Sequence, residues 1–308
     1  MKGLRNMSIF GPHAKPADPA TSLFKLVQRN VRSGRRSAEN TGLALMLAAC
    51  ALCSGFTLAR AQDQDGGQDL AKKLSNPVAS LISVPIVGSC DGRIGPVKKG
   101  ERCSLTVQPV IPFSLNDDWN LISRTIMPLI TQRNVAPGTG SQSGLGDTIQ
   151  SLFFSPKAPT AAGIIWGVGP VLQLPTATDQ LLGSGKWAAG PTVVLLKQLS
   201  GFTAGILANH LWSFAGSATR RTQNVTFLQP FLSYTTSRAT TFSLNTESTY
   251  DWSSQRWSVP IHVGVSQLVK VGQQPVSLSA TLRYWAVSAP GGPRGFGGKL
   301  GLTFLFPT

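Results

Sequence analysis

From residue 79 onward the chain divides into twelve runs, each about ten to fourteen residues long, separated by Gly, Pro, Ser and Asn. The runs are 79–88, 101–113, 118–132, 144–155, 162–175, 185–198, 202–214, 223–236, 240–252, 257–270, 276–286 and 295–306. Many alternate polar or small residues with apolar ones. In the last, Lys299, Gly301 and Thr303 alternate with Leu300, Leu302, Phe304 and Phe306. A period of two puts one set on each face of a strand. Each run is about as long as a tilted strand that crosses a bilayer. The pattern predicts an all-β chain: an antiparallel transmembrane β-barrel of about twelve strands over 79–308.

The connections point the same way. Those after runs 2, 4, 6, 8 and 10 are short: SLND, PKAPTA, LSG, SRA and VGQQP. Those after runs 1, 3, 5, 7 and 11 are longer, for example RNVAPGTGSQS; only the ninth, SSQR, is out of step. Alternation of this kind fits periplasmic turns and outer loops with both termini in the periplasm. On that topology Trp187, Trp212, Trp252, Trp257 and Trp285 fall at the outer ends of their strands. Phe113, Phe202, Tyr234, Phe242 and Phe306 fall at the inner ends, giving two aromatic girdles. Trp166 reads as lying well inside its strand. The prolines in QPVIP, IMP, VGP, AGP, LQP and SVP each remove a ladder donor, which calls for bulges or kinks.

Composition narrows the setting. Charged residues are 13% of the chain, about half the usual share for a soluble domain. The formal charge is +15, but residues 1–61 hold nine of the 28 basic residues and two of the 13 acidic ones, leaving +8 for the remainder. That excess would favour anionic solutes or lipopolysaccharide. No basic cluster with interleaved aromatics argues for nucleic acid.

The stretch GLALMLAACALCSGFTLARA follows the basic RSGRR and ends in Ala59-Arg60-Ala61. This is the order of a secretory signal peptide, with cleavage after Ala61. Residues 1–61 are therefore expected to be a signal peptide with an over-long N-terminal extension, which a start codon further downstream would explain. A lipobox-like Leu47-Ala48-Ala49-Cys50 competes with this reading, but the chain stays apolar after Cys50. Residues 62–78, with DLAKKLSN, predict a short helix, either periplasmic or folded into the lumen as a partial plug. Cys90 and Cys103 bound the polar stretch SCDGRIGPVKKGERC and make a candidate disulfide in an oxidising envelope. Closing a loop of that length contributes about 3 kcal/mol.

Several segments carry a family resemblance: DLAKKLSNPVASLISVP, TVQPVIPFSLNDDWNLISRT, GLGDTIQSLFFSPKAP, GVGPVLQLPTATDQLLGSGKW, LQPFLSYTT and NTESTYDWSSQRWSVPI. They resemble an outer-membrane transporter family related to the phenol-degradation (MetA-pathway) proteins, sometimes labelled neuromedin-U-like. The resemblance spans residues 68–308 and implies an outer-membrane barrel of a Gram-negative bacterium. It brings no catalytic or substrate-binding residues. Cys90, Cys103 and the basic stretch between them depart from the acidic or polar loop usual there. Lys299, Gly301, Phe304 and Phe306 resemble the C-terminal signal read by the barrel-assembly machinery.

Lumen-lining candidates follow from the alternation. In run nine, Ser243, Asn245, Glu247, Thr249 and Asp251 share the polar face. If SSQR is a tight hairpin pairing Trp252 with Trp257, Glu247 falls opposite His262, and a near-simple register brings Arg283 beside His262. A lumenal band of Glu247, His262 and Arg283 is expected, with Arg124, Asp147 and Lys299 as further lining. The reading is a channel passing small solutes by passive diffusion through a polar lumen, with outer-membrane lipid and lipopolysaccharide around it. The alternatives are a non-conducting structural or adhesive barrel and an outer-membrane hydrolase using His210. No G-x-S-x-G elbow supports the latter. No enzyme activity, cofactor or metal is expected.

Overall fold

Two-residue alternation needs a partner for every backbone amide once one face meets lipid, and only a closed sheet supplies it. The computed structural model describes residues 64–307; the predicted signal segment and its cleavage site lie outside them. One helix, α1 (Gln64–Leu74), precedes fifteen strand segments. The first seven are β1 (Ile82–Ile94), β2 (Gly100–Val107), β3 (Val110–Ser114), β4 (Trp119–Arg133), β5 (Ser141–Leu145), β6 (Thr148–Pro156) and β7 (Ile164–Leu174). Then come β8 (Lys186–Leu199), β9 (Phe202–Gly216), β10 (Asn224–Thr235), β11 (Thr240–Thr246) and β12 (Ser248–Asp251). The last are β13 (Arg256–Val271), β14 (Gln274–Val287) and β15 (Gly295–Phe306).

The pairs β2/β3, β5/β6 and β11/β12 are each one stave interrupted briefly, so the fold is a closed antiparallel barrel of twelve staves. Closure is made by β1 and β15, from Ile82 beside Phe306 to Cys90 beside Gly298. The end where β1 begins and β15 finishes is called the near end below, and the opposite one the far end.

Prolines account for the interruptions. Pro109 sits in the gap between β2 and β3, and the register against β4 is the same on both sides of it. Pro230 lies where β10 loses contact with β11 and β12, and Glu247 occupies that gap. A bulge opposite Pro128 inserts one extra residue around Gly146–Asp147. Pro170 and Pro191 are direct partners across β7 and β8. Their missing donors face β6 and β9, whose ladders skip the same positions. At both places the wall closes up on a glycine. A Cβ on Gly169 would collide with the Leu152 carbonyl, and one on Gly190 with the His210 carbonyl.

Outward faces carry the apolar band: Leu129, Val168, Leu195, Ile206, Leu232, Val263 and Leu300 are all exposed. Trp187, Trp212, Trp252 and Trp257 ring the far end, and Phe113, Phe202, Tyr234, Phe242 and Phe306 the near end, all exposed. Two tryptophans correct the expected girdles. Trp166 stacks edge-on to Trp119 at 5.7 Å and belongs to the near ring, because β7 begins only two residues before it. Trp285 points inward.

The inside is not uniformly polar, contrary to the sequence reading. Val78, Ile122, Phe153, Val194, Leu196 and Leu207 form a buried cluster within the barrel. Val78 comes from the segment after α1, which therefore enters the lumen. Gln198 Nε2 donates to the Lys72 carbonyl (2.9 Å) and Gln68 Nε2 to the Thr235 carbonyl (3.2 Å). Asn120 Nδ2 donates to Ser80 Oγ at 2.8 Å. The described residues of 62–78 thus pack against the inner face of the wall.

Candidate functional site: a charged belt across the lumen

Alternation puts Asn245 and Glu247 of the ninth stave, His262 of β13, Arg283 of β14 and Lys299 of β15 on the inner face. The pairing makes His262 and Arg283 direct partners, as the sequence suggested. The ninth hairpin departs from expectation by two residues: Asp251, not Trp252, pairs across the turn with Arg256, and Asn245 faces His262. The turn is still four residues long but begins one residue earlier, at Trp252, because Asp251 caps it. Its carboxylate accepts from Ser253 N (2.9 Å), Ser254 N (3.2 Å) and Ser254 Oγ (2.7 Å). Asp251 therefore organises the far rim, with Arg221 at 4.0 Å.

Glu247 still reaches the belt. Lys299 Nζ lies 2.8 Å from each of its carboxylate oxygens, and His262 Nδ1 lies 3.9 Å from Oε1. His262 Nδ1 is also 2.9 Å from Asn245 Oδ1. Arg124, facing inward from the third stave, bonds Gln108 Oε1 (3.2 Å) and feels the charge of Glu247 across the barrel.

A second ion pair was missed by the sequence reading. Arg283 Nη1 donates to Asp91 Oδ2 at 2.8 Å, both side chains being close to nine-tenths buried. Trp285 Nε1 donates to Asp91 Oδ1 at 2.8 Å, and the guanidinium sits 5.7 Å from the Trp285 ring centroid. Next to Asp91 in register is Arg102, whose Nε bonds Gln132 Oε1 at 2.8 Å. Asp91 was read as loop because Cys90-Asp91-Gly92 is turn-like in composition. The inward series Ser83, Val87, Ser89, Asp91 would have placed it. The same extension of β1 corrects the cysteines. Cys90 and Cys103 do not flank a loop; they are direct partners across β1 and β2, disulfide-bonded, with Cα atoms 4.1 Å apart.

The belt thus joins Arg102, Arg124, Arg283 and Lys299 with Asp91 and Glu247, a cationic surplus on one half of the wall. The apolar cluster lies mainly on the other half, on the fourth, sixth and seventh staves, and meets the belt at the third, where Ile122 and Arg124 share the inner face. Arg283 Nε and Nη2 and His262 Nε2 are buried without hydrogen-bond partners among the described residues. A buried polar nitrogen left without a partner costs about 1–3 kcal/mol.

Asp147 belongs to the far mouth. Its Oδ2 accepts from Gln173 Nε2 (3.0 Å), Ser184 N (2.6 Å) and Ser184 Oγ (2.6 Å). Arg220 donates to the carbonyls of Gln180, Gly183 and Ser184. Together they fold residues 175–185 inward, and Leu182 is buried. The C-terminal positions divide by face: Lys299 and Gly301 inward, Phe304 and Phe306 outward. His210 faces outward, with Nδ1 2.8 Å from Thr226 Oγ1 and its ring 4.0 Å from that of Trp212. Among the described residues no cluster of metal-binding side chains occurs.

Fold and wall define a β-barrel of the outer-membrane type. No protein-family model matches the sequence, and no curated protein matches it. Among solved structures, the chain is similar to the COG4313 outer membrane channel from Pseudomonas putida F1. That match has a TM-score of 0.59 and 15% identity over 74% of this chain and 96% of that one; it establishes a shared fold. The KdgM porin in complex with disordered oligogalacturonate aligns at TM-score 0.42 and 11% identity, over 73% of this chain and 99% of that one. Outer membrane phospholipase A from Escherichia coli aligns at TM-score 0.42 and 10% identity, over 74% and 98%. Both are too distant to carry an argument.

Proposed function

We propose that the protein is an outer-membrane channel that passes small solutes by diffusion, anions more readily than cations. The observation that carries this is the cationic surplus of the inward belt, set inside a closed barrel whose outside is apolar and girdled by aromatics. On this reading the near end faces the periplasm, lipid and lipopolysaccharide surround the wall, and the last stave carries the signal for barrel assembly. A fixed positive surplus raises the local concentration of anions and lowers that of cations. The test is planar-bilayer conductance of the mature protein with a salt gradient. Current with an anion-favouring reversal potential is expected; folded protein without current removes the proposal.

One observation favours a second reading, a non-conducting structural barrel. Val78 and the apolar cluster seal the plug against one wall. Deleting residues 64–78 separates the two: a plugged channel gains conductance, and a solid barrel does not.

A further inference from the structure

At the near end a cleft of about 200 Å³ lies between the last turn of α1 and the lumenal faces of β10, β11, β13 and β14. No ionised side chain lines it. Phe231 and Leu268 give it one apolar side. Ala71, Leu74, Leu232 and Ala239 add further apolar lining, and the polar part includes the hydroxyls of Ser233, Ser243, Ser266 and Ser277, with Asn245 at the inner edge.

These groups spend little on each other. Elsewhere in the barrel, facing hydroxyls bond directly, as Ser89 with Ser104 and Thr235 with Thr241, both at 3.0 Å. Ser233 and Ser243 are direct partners across β10 and β11, yet no bond joins them. Ser233 is 7% exposed, and its Oγ is buried without a partner among the described residues. Ser243, Ser266 and Ser277 likewise make no side-chain hydrogen bond there. Asn245 uses Oδ1 on His262 and keeps its Nδ2 hydrogens free. Side chains on direct strand partners stand about 5 Å apart at Cβ, so a single hydroxyl placed between two serines can bond both.

We propose that this cleft binds a small uncharged polyol of monosaccharide size. Its hydroxyls would exchange bonds with the four serines and Asn245, and its C–H face would rest on Phe231. An apolar occupant leaves the buried Ser233 hydroxyl unpaired, and a charged one meets no countercharge in the lining. Both are rejected by a site built this way. The proposal goes beyond the channel reading and does not need current, since binding is measured at equilibrium.

The test is calorimetric titration of the mature protein in detergent micelles with glucose, glucuronate and cyclohexanol. Saturable heat with glucose is expected, and binding at least about tenfold weaker for the other two. Ser243→Val with Ser277→Val fills the cleft and should weaken glucose about tenfold or more, with heat-modifiable gel migration confirming the folded barrel. If that variant does not fold, Ser266→Ala removes one hydroxyl and should weaken glucose several-fold. No saturable heat with glucose, equal affinity in the serine variants, or preference for cyclohexanol or glucuronate would overturn the proposal.

Discussion

Lys299 holds both carboxylate oxygens of Glu247 at 2.8 Å, although β13 and β14 stand between their staves. The bond is a chord across the lumen, not a neighbour contact along the wall. Any solute moving past this level meets two charges already engaged with each other.

Breaking the chord from either end should move selectivity in opposite directions. Glu247→Gln leaves Lys299 uncompensated and raises the anion-to-cation permeability ratio. Lys299→Met leaves Glu247 facing the passage and lowers it. Reversal potentials under a salt gradient read both; identical potentials in the two variants would remove the belt from the conduction path.

The Asp91–Arg283 pair is a matter of stability more than passage. Asp91→Asn strips the charge from the one acceptor of a buried guanidinium, which should cost about 3 kcal/mol. Replacing both partners together, Asp91→Leu with Arg283→Met, should cost less than the single change, since no buried charge is then stranded. Urea unfolding followed by heat-modifiable gel migration measures the difference.

How much of this was legible beforehand varies by feature. The twelve staves were readable because a bilayer demands period two and fixed length along every one of them. The His262–Arg283 contact was readable because β13 and β14 pair almost without slip. The ninth hairpin was two residues out, since nothing in SSQR announces that Asp251 caps the turn with its carboxylate. Asp91, Trp285 and Val78 escaped for other reasons. Asp91 and Trp285 continue the inward alternation of β1 and β14, but a turn-like neighbourhood and a girdle-type ring masked it. Val78 owes its place to contacts with staves distant in sequence, of which local pattern carries no record.

The disulfide closes a hairpin of 13 residues' separation. Cys90→Ser with Cys103→Ser should lower stability by about 3 kcal/mol through the freed unfolded chain. Strand pairing on either side of the bridge should keep the barrel closed. Circular dichroism should therefore be unchanged while the denaturation midpoint falls.

At the far mouth, Asp147→Ala removes the acceptor of three hydrogen bonds to Ser184 and Gln173. Residues 175–185 should then swing away from the lumen, giving larger and noisier single-channel currents. Arg220→Met should do the same from the other side of the loop. Currents as quiet as wild type in both would show that the loop is held by packing alone.

The seam between Ile82 and Phe306 has a consequence for how such a molecule is made. The first and last staves are mutual partners, so an unfinished chain has no way to cover its leading edge. β15 must be made before the ring can form. Folding is thereby made a single, late commitment, and the seam of first and last staves is the clasp on which it turns.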